Sequence, residues 1–271
     1  MDRRILLIGF GNMGQALVRG WLERGIAAAE IRVVDPAEAS RAAAGRVGIE
    51  AKEALDEGVL AEPPDVAVIA VKPNQVEAVA RALAPLAAAG TLFVSVAAGK
   101  TIASLTQVLG GEAAVVRAMP NTPAAIGRGM TVMTPSAAVT PAQRALADEL
   151  LGAVGATAWV DDEALMDAVT AVSGSGPAYV FLLIECLTRA GTKAGLEPAL
   201  AERLATATVA GAGAYAERSG EPAAELRRRV TSPNGTTEAA LRVLMGEDGL
   251  EGLLERAVRA AADRSRELSS A

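Results

Sequence analysis

The chain has 271 residues, 51% of them hydrophobic and 21% charged, with a formal net charge of -6. That length and apolar content suit one large packed domain or two ordinary ones, and charges of both signs spread along the chain exclude a disordered or acidic-tail protein. The negative balance argues against a binder of phosphate backbones, so nucleic acid is excluded as a partner. Histidine is absent, which removes His-based triads, His-ligated zinc and imidazole acid-base chemistry, and no metal site is expected.

The single cysteine, Cys186, lies in an apolar run from Val180 and reads as a buried core thiol. It has no partner for an intrachain disulfide, which suits a cytoplasmic setting. The opening Met1-Asp2-Arg3-Arg4 leads into a strand-like run instead of a signal-peptide core. No span of about 18 uninterrupted apolar residues appears, so no membrane segment is expected.

Ile5-Leu6-Leu7-Ile8 is short, branched and apolar on both faces, as a strand inside a parallel sheet would be. Gly9-Phe10-Gly11-Asn12-Met13-Gly14 follows as G-x-G-x-x-G, Gln15 to Arg24 has helical spacing, and a second strand, Ile31 to Val34, ends at Asp35. In such a unit glycine serves the sharp turn, the close approach of a pyrophosphate and the packing of helix on strand, while an acidic residue about twenty positions on meets the ribose. The pattern predicts dinucleotide binding by residues 9–14 and Asp35; a glycine-rich turn of purely structural purpose is the other reading.

Further strands are expected at Val66 to Val71, Thr91 to Val96 and Ala113 to Arg117, with helices between them. The alternation predicts a doubly wound α/β sheet, mostly parallel, in which ligands bind beyond the carboxyl ends of the strands. The turns Val71-Lys72-Pro73-Asn74, Ala97-Ala98-Gly99-Lys100 and Met119-Pro120-Asn121-Thr122-Pro123 would then share one rim. Each alone reads as loop punctuation, and Lys72 as a rim charge; together they mark a crevice.

Near Val160-Asp161-Asp162 strand-like runs stop and Ala-, Leu- and Arg-rich helical patterns begin. The expected organisation is a dinucleotide-binding domain over residues 1–160 and an all-helical domain over 161–271. Ser173-Gly174-Ser175-Gly176-Pro177-Ala178-Tyr179 should break or kink a helix. The small-residue run Ala205 to Ala214 suits close helix packing, in the chain's own core or against another subunit. Finally, Ser232-Pro233-Asn234-Gly235-Thr236-Thr237 puts three hydroxyls around a turn that opens a helix from Glu238. Free N-H groups there could hold a small carboxylate; equally, Thr236 could cap the helix with nothing bound, and Glu238 could answer its dipole.

Taken together these motifs resemble those of the pyrroline-5-carboxylate reductases. The likeness spans nearly the whole chain and rests on Ile8 to Gly14, Ala70-Val71-Lys72-Pro73, Arg117 to Pro123, Asp167 to Tyr179 and Val230 to Thr237. The last two are far more specific than the glycine fingerprint. The resemblance implies a Rossmann-type domain followed by an all-α dimerisation domain, a homodimer as minimal unit with a decamer as the larger assembly, and reduction of the cyclic imine 1-pyrroline-5-carboxylate to L-proline by NADPH or NADH. It also implies that Ser232 Oγ and the N-H groups of Gly235, Thr236 and Thr237 bind the substrate carboxylate, with Thr237 Oγ on the ring nitrogen as the catalytic contact. Cofactor contacts would come from residues 9–14, Asp35, Val71, Lys72, Pro73, Ala97, Ala98, Gly99 and Asn121.

Two positions depart from the family's pattern. Asn234 stands where glycine is more frequent, and asparagine tolerates the left-handed conformation such a turn needs. Asp35 favours a free ribose 2′-hydroxyl, hence NADH, although the family commonly uses NADPH and Arg41 lies close by in sequence. Competing functions are a reductase of a related cyclic imine, since one methylene discriminates by only about 1–3 kcal/mol; a β-hydroxyacid dehydrogenase, for which Lys193 is the one lysine past the boundary; and a non-catalytic nucleotide sensor.

Overall fold

All four residues of Ile5–Ile8 (β1) are buried, and they divide between two cores. Ile5 and Leu7 join one hydrophobic cluster and Leu6 and Ile8 the other, the period-two alternation of a strand covered on both faces. The same division runs through Ile31–Val34 (β2), Val66–Ile69 (β4), Leu92–Ser95 (β5) and Val115–Met119 (β6). The computed structural model describes residues 3–270 and separates into two compact units: residues up to Gly174 with those from Ala261 onward, and Ser175–Ala260. The division by contacts therefore falls after Gly174, whereas regular strand structure ends with Trp159.

With Glu50–Lys52 as β3, Gly129–Pro135 as β7 and Gly155–Trp159 as β8, the first unit carries one eight-stranded sheet in the order β3-β2-β1-β4-β5-β6-β7-β8. Every neighbouring pair is parallel except β6 with β7, where Ala118 pairs with Met133. Three strands are additional to the sequence expectation: Glu50–Lys52 (β3), Gly129–Pro135 (β7) and Gly155–Trp159 (β8). Beta3 is short and polar. Beta7 hides its strand character because two of its buried positions are Thr131 and Thr134, each 1% exposed.

Asn12–Glu23 (α1), Glu38–Arg46 (α2), Glu57–Leu60 (α3), Val76–Leu83 (α4), Ile102–Leu109 (α5) and Pro141–Gly152 (α6) cover the sheet. Helices α1, α2 and α6 supply Leu17, Val18, Trp21, Ala44, Leu150 and Leu151 to one face, and α3, α4 and α5 supply Val59, Val76, Ala80, Leu83, Leu105 and Leu109 to the other. Each large side chain buried there is worth about 1.5–3 kcal/mol. Trp21 is fully buried and donates its indole N-H to Leu150 O at 2.8 Å, so the aromatic body is covered without leaving its polar atom unpaired. Glycine lets α1 lie this close: a Cβ on Gly20 would stand 2.6 Å from Ala153 O.

Met166–Val169 (α7) runs into a π-helical turn, Thr170–Gly174, before Gly176–Lys193 (α8), with Pro177 in the first turn of α8. The expected interruption at Ser173 to Tyr179 is thus a π-type turn. A Cβ on Gly174 would meet Met119 Cε at 2.5 Å, so the turn rests on the end of β6. Pro198–Ser219 (α9), Ala223–Arg229 (α10), Thr236–Leu244 (α11) and Leu250–Ser270 (α12) complete the helices. Alpha8 and α9 pack together where Gly191 approaches Ala201.

Three expectations about this helical region are corrected. Cys186 is exposed, since the apolar run around it lies on the uncovered side of α8. Within the small-residue run only Ala205 is buried, so the run does not pack into the chain's own core. And the helical stretch Glu163–Lys193, 31 residues including the π-type turn, is long and apolar enough by length and composition to cross a membrane, which reading for uninterrupted apolar residues did not register.

Candidate functional site

In the first unit the sheet reverses its winding at β1, which is flanked by β2 on one side and β4 on the other. Ligands of open α/β sheets bind at such a switch point, beyond the carboxyl ends of the strands. A crevice of about 500 Å³ lies there, lined by Gly9, Gly11, Asp35, Glu53, Val71 and Lys72 among others. Five residues expected to bind the cofactor from three separate turns are therefore brought together. Pro73, Ala97, Ala98, Gly99 and Asn121 stand at the ends of β4, β5 and β6 and do not line this crevice.

The glycines of the fingerprint do different work. Gly9 has φ 97, and a Cβ there would stand 2.6 Å from Ala70 O. On Gly14 it would stand 2.3 Å from Gly9 O. Both positions are closed by the protein itself. A Cβ on Gly11 meets no protein atom within 4 Å, so the small residue there preserves open space instead of an internal contact. Gly11 is also the N-cap of α1 and offers no side chain to the helix's first N-H groups. An uncapped helix N-terminus beside an unfilled approach is what a pyrophosphate requires. The residues present accordingly fit a dinucleotide.

Asp35 is 9% exposed. One carboxylate oxygen accepts from Phe10 N-H at 2.7 Å and the other from Ala37 N-H at 2.8 Å. The carboxylate thus fixes the glycine turn from β2 while lining the crevice. Phe10 is buried, Met13 half-buried and Asn12 exposed on the first turn of α1. The side chain of Asn121 donates to Ser173 O at 3.2 Å and accepts from Met130 N-H at 2.9 Å, bracing the π-type turn against β6 and β7. A second brace went unread in the sequence. Buried Arg117 pairs with Glu163 at 2.8 Å, and the same carboxylate oxygen accepts from Ile102 N-H at 2.8 Å.

In the second unit the loop from Ser232 opens α11. Asn234 has φ 56 and is the one non-glycine residue with positive φ among the described residues, so asparagine adopts the left-handed conformation expected of it in this turn. Its N-H donates to Glu238 Oε2 at 2.6 Å. The N-cap is Gly235 and no side chain caps the helix, which sets aside the alternative of a turn closed by Thr236. A Cβ on Gly235 would stand 2.5 Å from Ser232 Oγ, so only glycine lets that hydroxyl lie over the helix start. Gly235 N-H already donates to Ser232 O at 3.0 Å. Its expected place among the carboxylate donors is corrected, because this N-H closes the turn; the N-H groups of Thr236 and Thr237 and the hydroxyls of Ser232, Thr236 and Thr237 stand around the helix start. Those hydroxyls have no protein partner among the described residues. Lys193, the basis of the dehydrogenase alternative, is the exposed last residue of α8.

Comparison with known proteins matches residues 163–268 to the family model described as pyrroline-5-carboxylate reductase dimerisation, and residues 4–99 to the one described as NADP oxidoreductase coenzyme F420-dependent. The chain is 49% identical over 267 residues to the pyrroline-5-carboxylate reductase of Pseudomonas aeruginosa, covering 98% of this chain and 97% of that one. It is 41% identical to the enzyme of the same name from Pisum sativum, over 97% of this chain and 94% of the relative. Among solved structures, a pyrroline-5-carboxylate reductase from Coxiella burnetii superposes with TM-score 0.94 at 35% identity, covering 99% of each chain. The Plasmodium falciparum pyrroline carboxylate reductase, solved with NADP bound, gives TM-score 0.83 at 28% identity over 99% of this chain and 98% of that one. Prephenate dehydrogenase from Aquifex aeolicus, at 16% identity and TM-score 0.56, shares the fold alone.

Proposed function

The chain belongs to the pyrroline-5-carboxylate reductase family, and from that premise we propose how its own residues divide the reaction. It is an NAD(P)H-dependent oxidoreductase that reduces 1-pyrroline-5-carboxylate to L-proline, the last step of proline biosynthesis. When bound, the reduced nicotinamide supplies the hydride. Residues 9–14, Asp35, Val71 and Lys72 hold the dinucleotide at the switch point, the diphosphate lying over Gly11 and the start of α1. We extend this assignment to Pro73, to the turn Ala97-Ala98-Gly99 and to Asn121 as further cofactor contacts.

In the second unit Ser232 Oγ and the N-H groups of Thr236 and Thr237 take the substrate carboxylate, helped by the positive end of α11. Thr237 Oγ hydrogen-bonds the ring nitrogen and orients the imine. A protonated imine already accepts hydride well, and its product amine is strongly basic. The chain therefore needs to supply position more than acid strength, and the absence of histidine is no obstacle. The observation that carries this assignment is the uncapped start of α11, where three hydroxyls without protein partners stand around a turn that Asn234 and Gly235 permit.

The protein is a homo-oligomer. We take a homodimer, acting in the cytoplasm, as the minimal unit. Apolar side chains on α8 that the single chain leaves exposed, Phe181, Leu182 and Leu183 among them, support that reading. The test is oxidation of NADH or NADPH followed at 340 nm with 1-pyrroline-5-carboxylate, with L-proline identified by chromatography. Turnover to L-proline is expected; a folded protein that binds the coenzyme and reduces only another imine would move the assignment to a different ring.

A further inference from the structure

The crevice that receives the dinucleotide also carries the residues that decide which dinucleotide it takes. The two coenzymes differ at one place, the adenosine ribose, where NADH has a neutral 2′-hydroxyl and NADPH a phosphate. Asp35 stands at the end of β2, where that ribose lies in this kind of fold. Its carboxylate is held in place by Phe10 N-H and Ala37 N-H, one on each oxygen. A carboxylate oxygen has a second lone pair, so each can still accept from a hydroxyl. The carboxylate cannot move aside for a phosphate without releasing Phe10 N-H in the glycine turn and Ala37 N-H beyond β2. Glu53, just past β3, is a second carboxylate on the same wall.

A phosphate would need a cation to offset both. Arg41 reaches this wall from α2, and its guanidinium is engaged: Nη1 donates to Asp35 O at 3.0 Å and to Pro36 O at 2.7 Å, and Nη2 pairs with Glu53 at 3.3 Å. Among the described residues lining the crevice the one cation is Lys72. It follows β4, on the other side of β1 from Asp35, so the two strand ends are separated by two strand spacings, roughly 10 Å. At that place Lys72 serves the diphosphate side.

We infer that this chain selects NADH over NADPH, with Asp35 accepting from the ribose hydroxyls and Glu53 keeping Arg41 occupied. The inference rests on the dinucleotide site described above. That a relative from Plasmodium falciparum was solved with NADP describes that protein; here the held carboxylate of Asp35 and the exposed one of Glu53 line the wall where the added phosphate would lie.

The test is direct binding of NADH and NADPH to the full-length protein, by calorimetry, at low and at moderate salt. NADH should bind about tenfold tighter or more, the effect of like charges set against one another. The ratio should narrow as salt screens the repulsion. Glu53→Gln, at an exposed side chain, removes one charge and frees Arg41, so it should improve NADPH binding severalfold and narrow the ratio between the two coenzymes. Asp35→Asn keeps an acceptor for Phe10 N-H and should bring the two affinities together. Equal affinities in the unsubstituted protein, or tighter NADPH, would overturn the inference while leaving the dinucleotide site intact. Binding of neither coenzyme would overturn the site itself.

Discussion

Strands β1, β4 and β5 of the sheet unit bury every residue, whereas α8, 18 residues long in the helical unit, buries none. The sheet unit closes two cores on its own. In the helical unit Phe181, Leu182, Leu183, Leu187 and Leu204 are exposed, and large exposed apolar patches mark a surface that something covers. The contrast separates two kinds of foldedness. One unit is finished by its own chain and can carry a cofactor site as a property of the monomer; the other, on the proposed reading, is finished by a second copy, so the substrate loop it carries depends on assembly.

The largest way to break that contrast is Phe181→Asp. A charge placed on the exposed face of α8 should convert the oligomer to single chains by light scattering, with turnover falling to a few per cent or less because the second unit loses its covering. Coenzyme binding to the sheet unit should persist. A variant that stays oligomeric with full activity would show that the face has another use.

Within the sheet unit the contrast sharpens at two fingerprint glycines, Gly11 and Gly14, three positions apart in sequence and different in role. Gly14→Ala puts a Cβ against Gly9 O, backbone on backbone, and should lower stability by about 2–4 kcal/mol in a thermal or denaturant melt. Gly11→Ala fills open space. It should leave stability within about 1 kcal/mol while weakening coenzyme binding roughly tenfold. Equal loss of stability in both would mean that Gly11 serves the fold and not the ligand.

The smallest expected effect lies in the substrate loop. Ser232→Ala removes one of several carboxylate donors and should raise the KM for the imine about threefold to tenfold with kcat nearly unchanged. An unaltered KM would take Ser232 out of the carboxylate site.

Where the chain states its structure locally, the sequence was easy to read. Buried parallel strands such as Ile5–Ile8 announce themselves as branched apolar runs, and the fingerprint glycines and Asp35 sit at spacings that a strand, a turn and a helix impose. The loop from Ser232 was legible because hydroxyls and a Pro-Asn-Gly turn precede a helical pattern. The rest depends on partners distant in sequence. Beta7 pairs antiparallel with β6 and places threonines inside, so polarity misleads there. Glu53 lines the crevice only because Glu50–Lys52 is a strand at all, and nothing in three mostly polar residues says so. Asn121 looked like a rim residue, yet its side chain reaches Ser173 and Met130. Cys186 was read from apolar neighbours that belong to an exposed helix face.

The central claim is that the sheet unit binds coenzyme while the loop on α11 holds the imine, and Thr237→Ala tests it most directly. Two quantities are measured on the same preparation: kcat/KM for 1-pyrroline-5-carboxylate and the affinity for NADH. The account predicts that kcat/KM falls roughly tenfold to a thousandfold while coenzyme affinity stays within about twofold of the unsubstituted protein. An unchanged kcat/KM, or a parallel loss of coenzyme affinity, would contradict it.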